Sequence, residues 1–261
     1  MIVIPDIHGR SFWKEAVKDR ENEDIVFLGD YMDPYDYEGI DYAQAIGNFK
    51  EIIEFANSHK NVTLLLGNHD CHYLSETIAK SSRYDYLNAA EIIKIFRAFE
   101  RNFLMAIERT INGKQFIFSH AGISIKWLQN HPLLTSDIDF DKISIIDWVN
   151  NAWEVRDGKF ISMLNDISYR RWGYFECGSM IWADLLDHYN DGNGKNLVGD
   201  YQIFGHTQVK EPLVFGKFAD FDCRRAFIVN DEGEILEMDG TPVIKAEELQ
   251  KQTEQKNGNN S

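Results

Sequence analysis

The chain has 261 residues, enough to bury a substantial core in one large domain or two small ones. Apolar residues make up 44% and aromatics 13%, which excludes a disordered or fibrous chain. The net charge of −15 excludes sequence-independent binding of nucleic acid, which needs a basic face, but leaves a phosphate substrate open because bound cations can outweigh local acid. The three cysteines, Cys71, Cys177 and Cys223, are sparse and form no Cys-x-x-Cys pair. They fit a reducing compartment better than a disulfide scaffold. No apolar run approaches the ~18 residues of a membrane helix. Residues 1–6 read as a strand rather than a signal peptide. A soluble, cytoplasmic protein is expected, and the sequence leaves its oligomeric state open.

In chain order, Ile2-Val3-Ile4 is a β-branched run, and Ser11 reads as the cap of a helix reaching about Asp19. Ile25 to Leu28 is a second buried strand, and the Asp-, Tyr-, Gly- and Pro-rich residues 31–40 are a loop. Ala45, Ile46, Phe49, Ile52, Ile53 and Ala56 recur at helical spacing between Tyr42 and Ser58. Val62 to Leu66 is a third strand. Helical spacing returns over 87–107 through Leu87, Ala90, Ile93, Phe96, Phe99 and Phe103. Phe116 to Phe118 is another strand, 123–165 are mainly helix and loop, and Ser179 to His188 is a short helix. Tyr201 to Phe204 is a strand. Short strands at 214–215, 218–221, 226–229 and 235–236 are expected to form a second, more antiparallel sheet. The alternation of strands and helices predicts an α/β fold with ligands at the carboxyl ends of strands. With no repeat and no Pro- or Ser-rich linker, residues 1–244 read as a single domain and 245–261 as a polar, disordered tail.

Five polar motifs fall mostly where apolar runs end. They are Asp6-Ile7-His8, Gly29-Asp30-Tyr31-Met32-Asp33, Gly67-Asn68-His69-Asp70, His120-Ala121-Gly122 and Gly205-His206-Thr207. Their carboxylates, amide carbonyl and imidazoles are the ligand types of a two-metal hydrolytic site. Asp6 and His8 lie two apart, so they share a face of extended backbone. Asp30 follows a strand, where one carboxylate can bridge two cations. Asn68 follows an apolar strand, and its amide needs either a metal for its carbonyl oxygen or an Asx turn capping the next helix. His120 and His206 each follow a strand and have small neighbours that leave room by the ring. Taken singly, each motif also reads as a solvated turn or a hydrogen-bonding residue; the whole set in this order carries the argument.

With these motifs, spread over residues 6 to 207, the chain resembles the calcineurin-like metallophosphoesterases, on the phosphoprotein phosphatase branch and of bacterial type. The resemblance implies a two-sheet β-sandwich flanked by helices. It implies that Asp6, His8 and Asp30 hold one divalent metal and that Asp30, Asn68, His120 and His206 hold a second. It makes His69 the proton donor and Asp33 the acid that orients it. The sequence departs from that pattern in three places. Pro34-Tyr35 follow Asp33 where protein phosphatases usually carry Arg-Gly, Leu66 stands where they commonly carry arginine, and Asp70 replaces a frequent glutamate. A phosphate-gripping arginine is thus missing. The segment Tyr169-Arg170-Arg171-Trp172-Gly173 resembles one in bacterial members, and Arg170 or Arg171 can return that cation or simply pair with surface acids.

The expected activity is hydrolysis of phosphomonoesters, on phosphoproteins or small phosphates, by a hydroxide bridging two metals. Manganese is favoured, with iron or zinc as alternatives. The competing readings are a hydrolase of dinucleoside polyphosphates or other nucleotides, and a non-catalytic scaffold for protein binding. Cys71, beside Asp70, reads as a helix-packing residue.

Overall fold

The computed structural model describes residues 1–135, 138, 143–190, 192 and 194–246, so residues 247–261 of the expected tail lie outside the described residues. Strands β1 (Ile2–Ile4), β2 (Ile25–Phe27) and β3 (Val62–Leu65) pair in parallel, with Ile2 opposite Ile25 and Ile25 opposite Val62. Ile2, Ile4, Ile25, Phe27, Leu64 and Leu66 face a helical layer, while Val3, Val26, Leu28 and Leu65 face a second sheet. Burial on both faces is why these segments read as unbroken apolar runs rather than as alternating ones.

The helical layer packs on the first of those faces. Helix α1 (Phe12–Val17) is shorter than expected and begins at Ser11, whose side chain makes no capping bond. Helix α2 (Tyr42–Ser58) has the bounds its spacing predicted. It starts with a reciprocal cap: Gln44 N–H donates to Asp41 Oδ1 at 2.8 Å and Asp41 N–H to Gln44 Oε1 at 2.9 Å. Helices α3 (Asn68–Leu74) and α4 (Ala89–Ala98) follow. The helical reading of 87–107 therefore holds only in its middle. Leu87 lies ahead of α4 and is exposed, and Phe103–Leu104 form strand β4, with Phe103 opposite Leu64. Pairing with the edge of β3, and the contact of Phe103 with Phe49, Phe96 and Tyr31, outweigh the helical spacing.

Strand β5 (Ala106–Ile111) is absent from the sequence reading, yet it forms a hairpin with β6 (Lys114–Ser119). Its turn, Asn112-Gly113, takes left-handed φ values of 48° and 73°, the tight turn that Asn-Gly favours. Helices α5 (Ile125–Gln129), α6 (Pro132–Thr135), α7 (Ile145–Glu154) and α8 (Gly158–Met163) come next. The helix expected over 179–188 is displaced toward the C-terminus, as α9 (Leu185–Asn190). The reason is that Ser179 is tied to Asp166 and Leu164 instead.

Strands β7 (Tyr201–Phe204), β8 (Leu213–Phe215) and β9 (Phe218–Asp220) complete a sheet of order β5-β6-β7-β9-β8, in which β9 runs parallel to β7. Strands β10 (Phe227–Val229) and β11 (Ile235–Glu237) return to the first sheet, which has the order β11-β10-β1-β2-β3-β4. The C-terminal strands thus divide between the sheets instead of forming one of their own. The free edge of β1 accounts for this, since β10 pairs with it antiparallel and Val229 N–H donates to Met1 O at 2.9 Å. Phe227 and Val229 meanwhile enter the core between the sheets with Phe116, Phe118 and Phe221. Leu185, from α9, packs outside the second sheet on Phe204 and Phe218. The layers run helices, sheet, sheet, helix, the helix-flanked double sheet expected from the sequence.

Phe49 is buried between Tyr31, Phe96 and Phe103, with ring centroids at 5.2, 4.6 and 6.3 Å. Phe49→Ala is expected to lower unfolding stability by about 3–5 kcal/mol in a urea titration. A loss below ~1 kcal/mol would mean that these rings close over the gap.

Candidate metal centre

Beyond the ends of β1 and β2 the two chains stay side by side. His8 N–H donates to Asp30 O at 2.6 Å and Gly9 N–H to Tyr31 O at 3.0 Å. Within these loops His8, Asp30 and Asp33 take φ values of 44°, 54° and 60°, and His206, after β7, takes 71°. That left-handed region costs an L-residue about 1–3 kcal/mol, and Asp and His tolerate it better than most. The strain persists because the backbone bonds overdetermine it, and it turns His8, Asp30 and His206 into one cavity, with Asp33 behind His69.

Asp70, at the start of α3, fixes the two loops relative to each other. Its Oδ2 accepts from Asp30 N–H at 2.7 Å and Gly67 N–H at 2.8 Å, and its Oδ1 from Tyr31 N–H at 2.9 Å. Burial, and then the charge of Asp30, push the carboxyl upward in pKa while these donors pull it down. Gly67 has no room for a side chain: a Cβ there would lie 2.1 Å from Asp30 Oδ1 and 2.7 Å from the His120 ring. Gly205 is cramped in the same way, with Asp6 Oδ2 at 2.0 Å.

The donor atoms converge as follows. His8 Nδ1 lies 2.9 Å from Met32 O and His120 Nδ1 3.0 Å from Leu28 O. A carbonyl only accepts, so both rings carry their proton on Nδ1. Burial lowers the pKa of His8, His120 and His206, favouring the neutral imidazole that ligates metal. The Nε2 lone pairs of His8 and His120 then face Asp30 Oδ2 at 3.4 and 3.5 Å. His120 Nε2 also lies 3.0 Å from both Asn68 Oδ1 and His206 Nδ1, and the buried His206 Nε2 has no hydrogen-bond partner. Burial, and then the charge of Asp6, push the Asp30 carboxyl well up in pKa. A divalent cation among these oxygen and imidazole donors would offset that cost, so the donor set fits divalent metal.

Two groups of mutually close donors, His8-Asp30-His69 and Asp30-His120-His206, share Asp30. Asp6 belongs to neither among the described residues; its carboxylate accepts the His206 N–H, at 3.1 Å to each oxygen. Asn68 joins through its carbonyl, and its Nδ2 donates to Ser81 Oγ at 2.9 Å.

Asp33 lies behind His69. Its Oδ2 is 2.7 Å from His69 Nδ1 and 3.0 Å from His72 Nε2, and its Oδ1 accepts from Tyr73 Oη at 2.5 Å. Burial would raise the Asp33 pKa, but the hydrogen bonds from His69 and His72 outweigh it and hold the carboxyl below its usual range. His72 is a residue the sequence reading missed. Ser81 N–H donates to its Nδ1 at 3.1 Å, so its proton sits on Nε2, toward Asp33. Its signal was a position three after His69, on a helix buried along its whole length. Cys71, on that helix, is fully buried in the core, as the packing reading expected. Burial lowers His69 to about 4, against the opposing pull of Asp33.

The cavity over these residues holds about 560 Å³ and is bordered by Arg83, Arg170, Arg171 and Trp172. Arg170 Nε lies 3.3 Å from Asp187 Oδ1 and Arg171 Nε 3.4 Å from Asp184 Oδ2. Arg171 Nη2 also donates to His206 O at 3.1 Å and Thr207 Oγ1 at 2.6 Å. Arg83, a second residue the sequence reading missed, donates from Nε to Asp33 O at 3.0 Å, with Nη2 3.4 Å from His69 Nε2. It stands 50 positions after Asp33, outside every motif.

Oxygen and imidazole donors gathered at the strand ends of a helix-flanked double sheet suit a metal-assisted hydrolase. The family model for calcineurin-like phosphoesterases matches residues 1–210, and the chain belongs to that family. None of the curated proteins matches the chain significantly. Among solved structures, a protein serine/threonine phosphatase from Saccharomyces cerevisiae with similarity to human phosphatase PP5 aligns at a TM-score of 0.44 and 12% identity, over 84% of this chain and 65% of that one. The chain thus spans just under two thirds of that protein's length. Among the described residues no helix is long and apolar enough to cross a membrane.

Asp70→Asn keeps the shape but turns an amide N–H₂ toward one of three backbone donors. It is expected to cost about 1–3 kcal/mol in denaturant unfolding and to weaken metal uptake. Unchanged stability together with full metal content would show that Asp70 does not hold these loops.

Proposed function

We propose that the chain is a dinuclear metal-dependent phosphomonoesterase acting on phosphoproteins or small phosphates. The observation that carries this reading is the sharing of Asp30 between two donor groups, with Nε2 of His8 and of His120 both facing its carboxylate. Asp6, His8 and Asp30 would hold one cation, and Asp30, Asn68, His120 and His206 the other. Two divalent ions, manganese first and iron or zinc as alternatives, would supply Lewis acidity and a water of lowered pKa when bound.

The chain's own groups do the rest. Asp33 orients His69 through Nδ1, which turns His69 Nε2 toward the cavity. A phosphate dianion entering there adds its negative charge to that of Asp33. His69 Nε2 then takes up a proton from solvent and gives it to the departing alkoxide. Arg171, braced on the His206 carbonyl, and Arg170 beside it offer guanidinium groups to non-bridging oxygens. Nucleotide hydrolysis remains the alternative reading, and a substrate panel of phosphopeptides, p-nitrophenyl phosphate and diadenosine tetraphosphate separates the two.

Excess chelator is expected to abolish turnover of p-nitrophenyl phosphate, with manganese restoring it at two ions per chain. Full activity in chelator would end the two-metal reading.

His69→Asn is expected to keep both metals and to lose turnover by about 10²–10⁴-fold on alkyl phosphates, and less on p-nitrophenyl phosphate, whose leaving group needs no proton. His69 also falls within one donor group, so loss of a metal on this substitution would make it a ligand instead.

A further inference from the structure

We infer that Arg83, carried on the face of Tyr35, is the clamp that grips the substrate's phosphoryl group beside His69; this rests on the phosphoesterase reading above. Arg83 borders the cavity with His8, Asp30 and His69. In a chain of net charge −15, no carboxylate of the described residues lies within ion-pair distance of it. Arg170 and Arg171, on the same cavity, each lie against an acid. Neutral groups hold Arg83 instead. Nε donates to Asp33 O at 3.0 Å, Nη1 to Ser82 Oγ at 3.3 Å, and the guanidinium carbon sits 3.7 Å from the Tyr35 ring centroid. The backbone of Arg83 is left-handed, at φ 67°. Its contact inside the cavity, Nη2 to His69 Nε2 at 3.4 Å, is long and is one that an anion would displace.

Tyr35 is what makes this placement work. It stands in the Pro34-Tyr35 pair, where the resembling phosphatases carry Arg-Gly. Its ring meets His8 edge-on, with centroids 5.0 Å apart, and offers its face to Arg83. Where an arginine is absent from the loop after Asp33, an aromatic ring in that loop receives one from the segment after α3. A planar fork stacked on a ring and anchored through Nε has little freedom left to lose, so it can bind two phosphoryl oxygens at small entropic cost.

The test measures inorganic phosphate binding by calorimetry on the manganese-loaded full chain, with metal content and p-nitrophenyl phosphate kinetics alongside. Arg83→Ala is expected to weaken phosphate binding by about ten- to hundred-fold while both metals stay. Arg83→Lys should recover little of it, because a point charge neither forks nor stacks. Tyr35→Leu should weaken binding by roughly two- to five-fold, and Tyr35→Phe should restore it. Wild-type phosphate affinity in both Arg83 variants, or loss of metal from both, overturns the clamp, as does a wild-type protein that binds no phosphate. Arg83-dependent binding in a protein that hydrolyses no phosphoester leaves the clamp standing and removes the catalytic reading. Turnover with phosphate affinity indifferent to Arg83 does the reverse.

Discussion

The Asp70 carboxylate receives three backbone N–H groups, from Gly67, Asp30 and Tyr31, in a place closed to water. Those donors belong to the turns that follow β2 and β3, and each turn would otherwise leave an amide unpaired. Through this one side chain the left-handed Asp30 and the helix carrying Asn68 and His69 are held together. His69 N–H donates in turn to Asp30 Oδ1 at 2.9 Å, closing the loop of contacts. A carboxylate is the group for this post, since it presents two acceptors and no donor.

The same logic extends outward from the donor atoms. His8, His120 and His72 each have their tautomer fixed by a backbone group, Met32 O, Leu28 O and Ser81 N–H respectively. The first two therefore present a lone pair to Asp30, and the third presents a proton to Asp33. Chemically different tasks are assigned to identical side chains by what stands behind them.

What the sequence reveals follows from how local each cause is. The strands β1 to β3 are visible because two-sided burial demands continuous apolar residues, and α2 because its cap and its stripe lie within 18 residues of each other. The motif residues are visible because each ends a strand. By contrast, β5 carries Glu108 and Arg109 and is committed by its partner strand, although the Asn112-Gly113 turn signals the hairpin. Phe103 satisfies a helical period and a sheet pairing equally well in one dimension. The division of the C-terminal strands is decided by the open edge of β1 at the other end of the chain, as the pairing of Ile2 with Ile228 and Val3 with Phe227 shows. Arg83, Tyr35 and His72 lie outside the sequence argument because their roles come from neighbours brought in by folding. Among the predicted site residues, the cavity gathers His8, Asp30, Asn68, His69 and His206 together with Arg170 and Arg171, with Asp33 and His120 directly behind it.

At its working end, the otherwise apolar seam between the two sheets is closed by functional groups. Asp6, from the first sheet, takes the N–H of His206 in the second, and His120 in the second donates to Leu28 in the first. In many enzymes active-site residues are a burden on the fold, and replacing them adds stability at the expense of rate. Here the donors also stitch the sandwich shut at its working end. A ligand gripped from both sides would add its own binding free energy to that closure, by mass action. Selection for catalysis and selection for a durable fold would then act on the same side chains in the same direction.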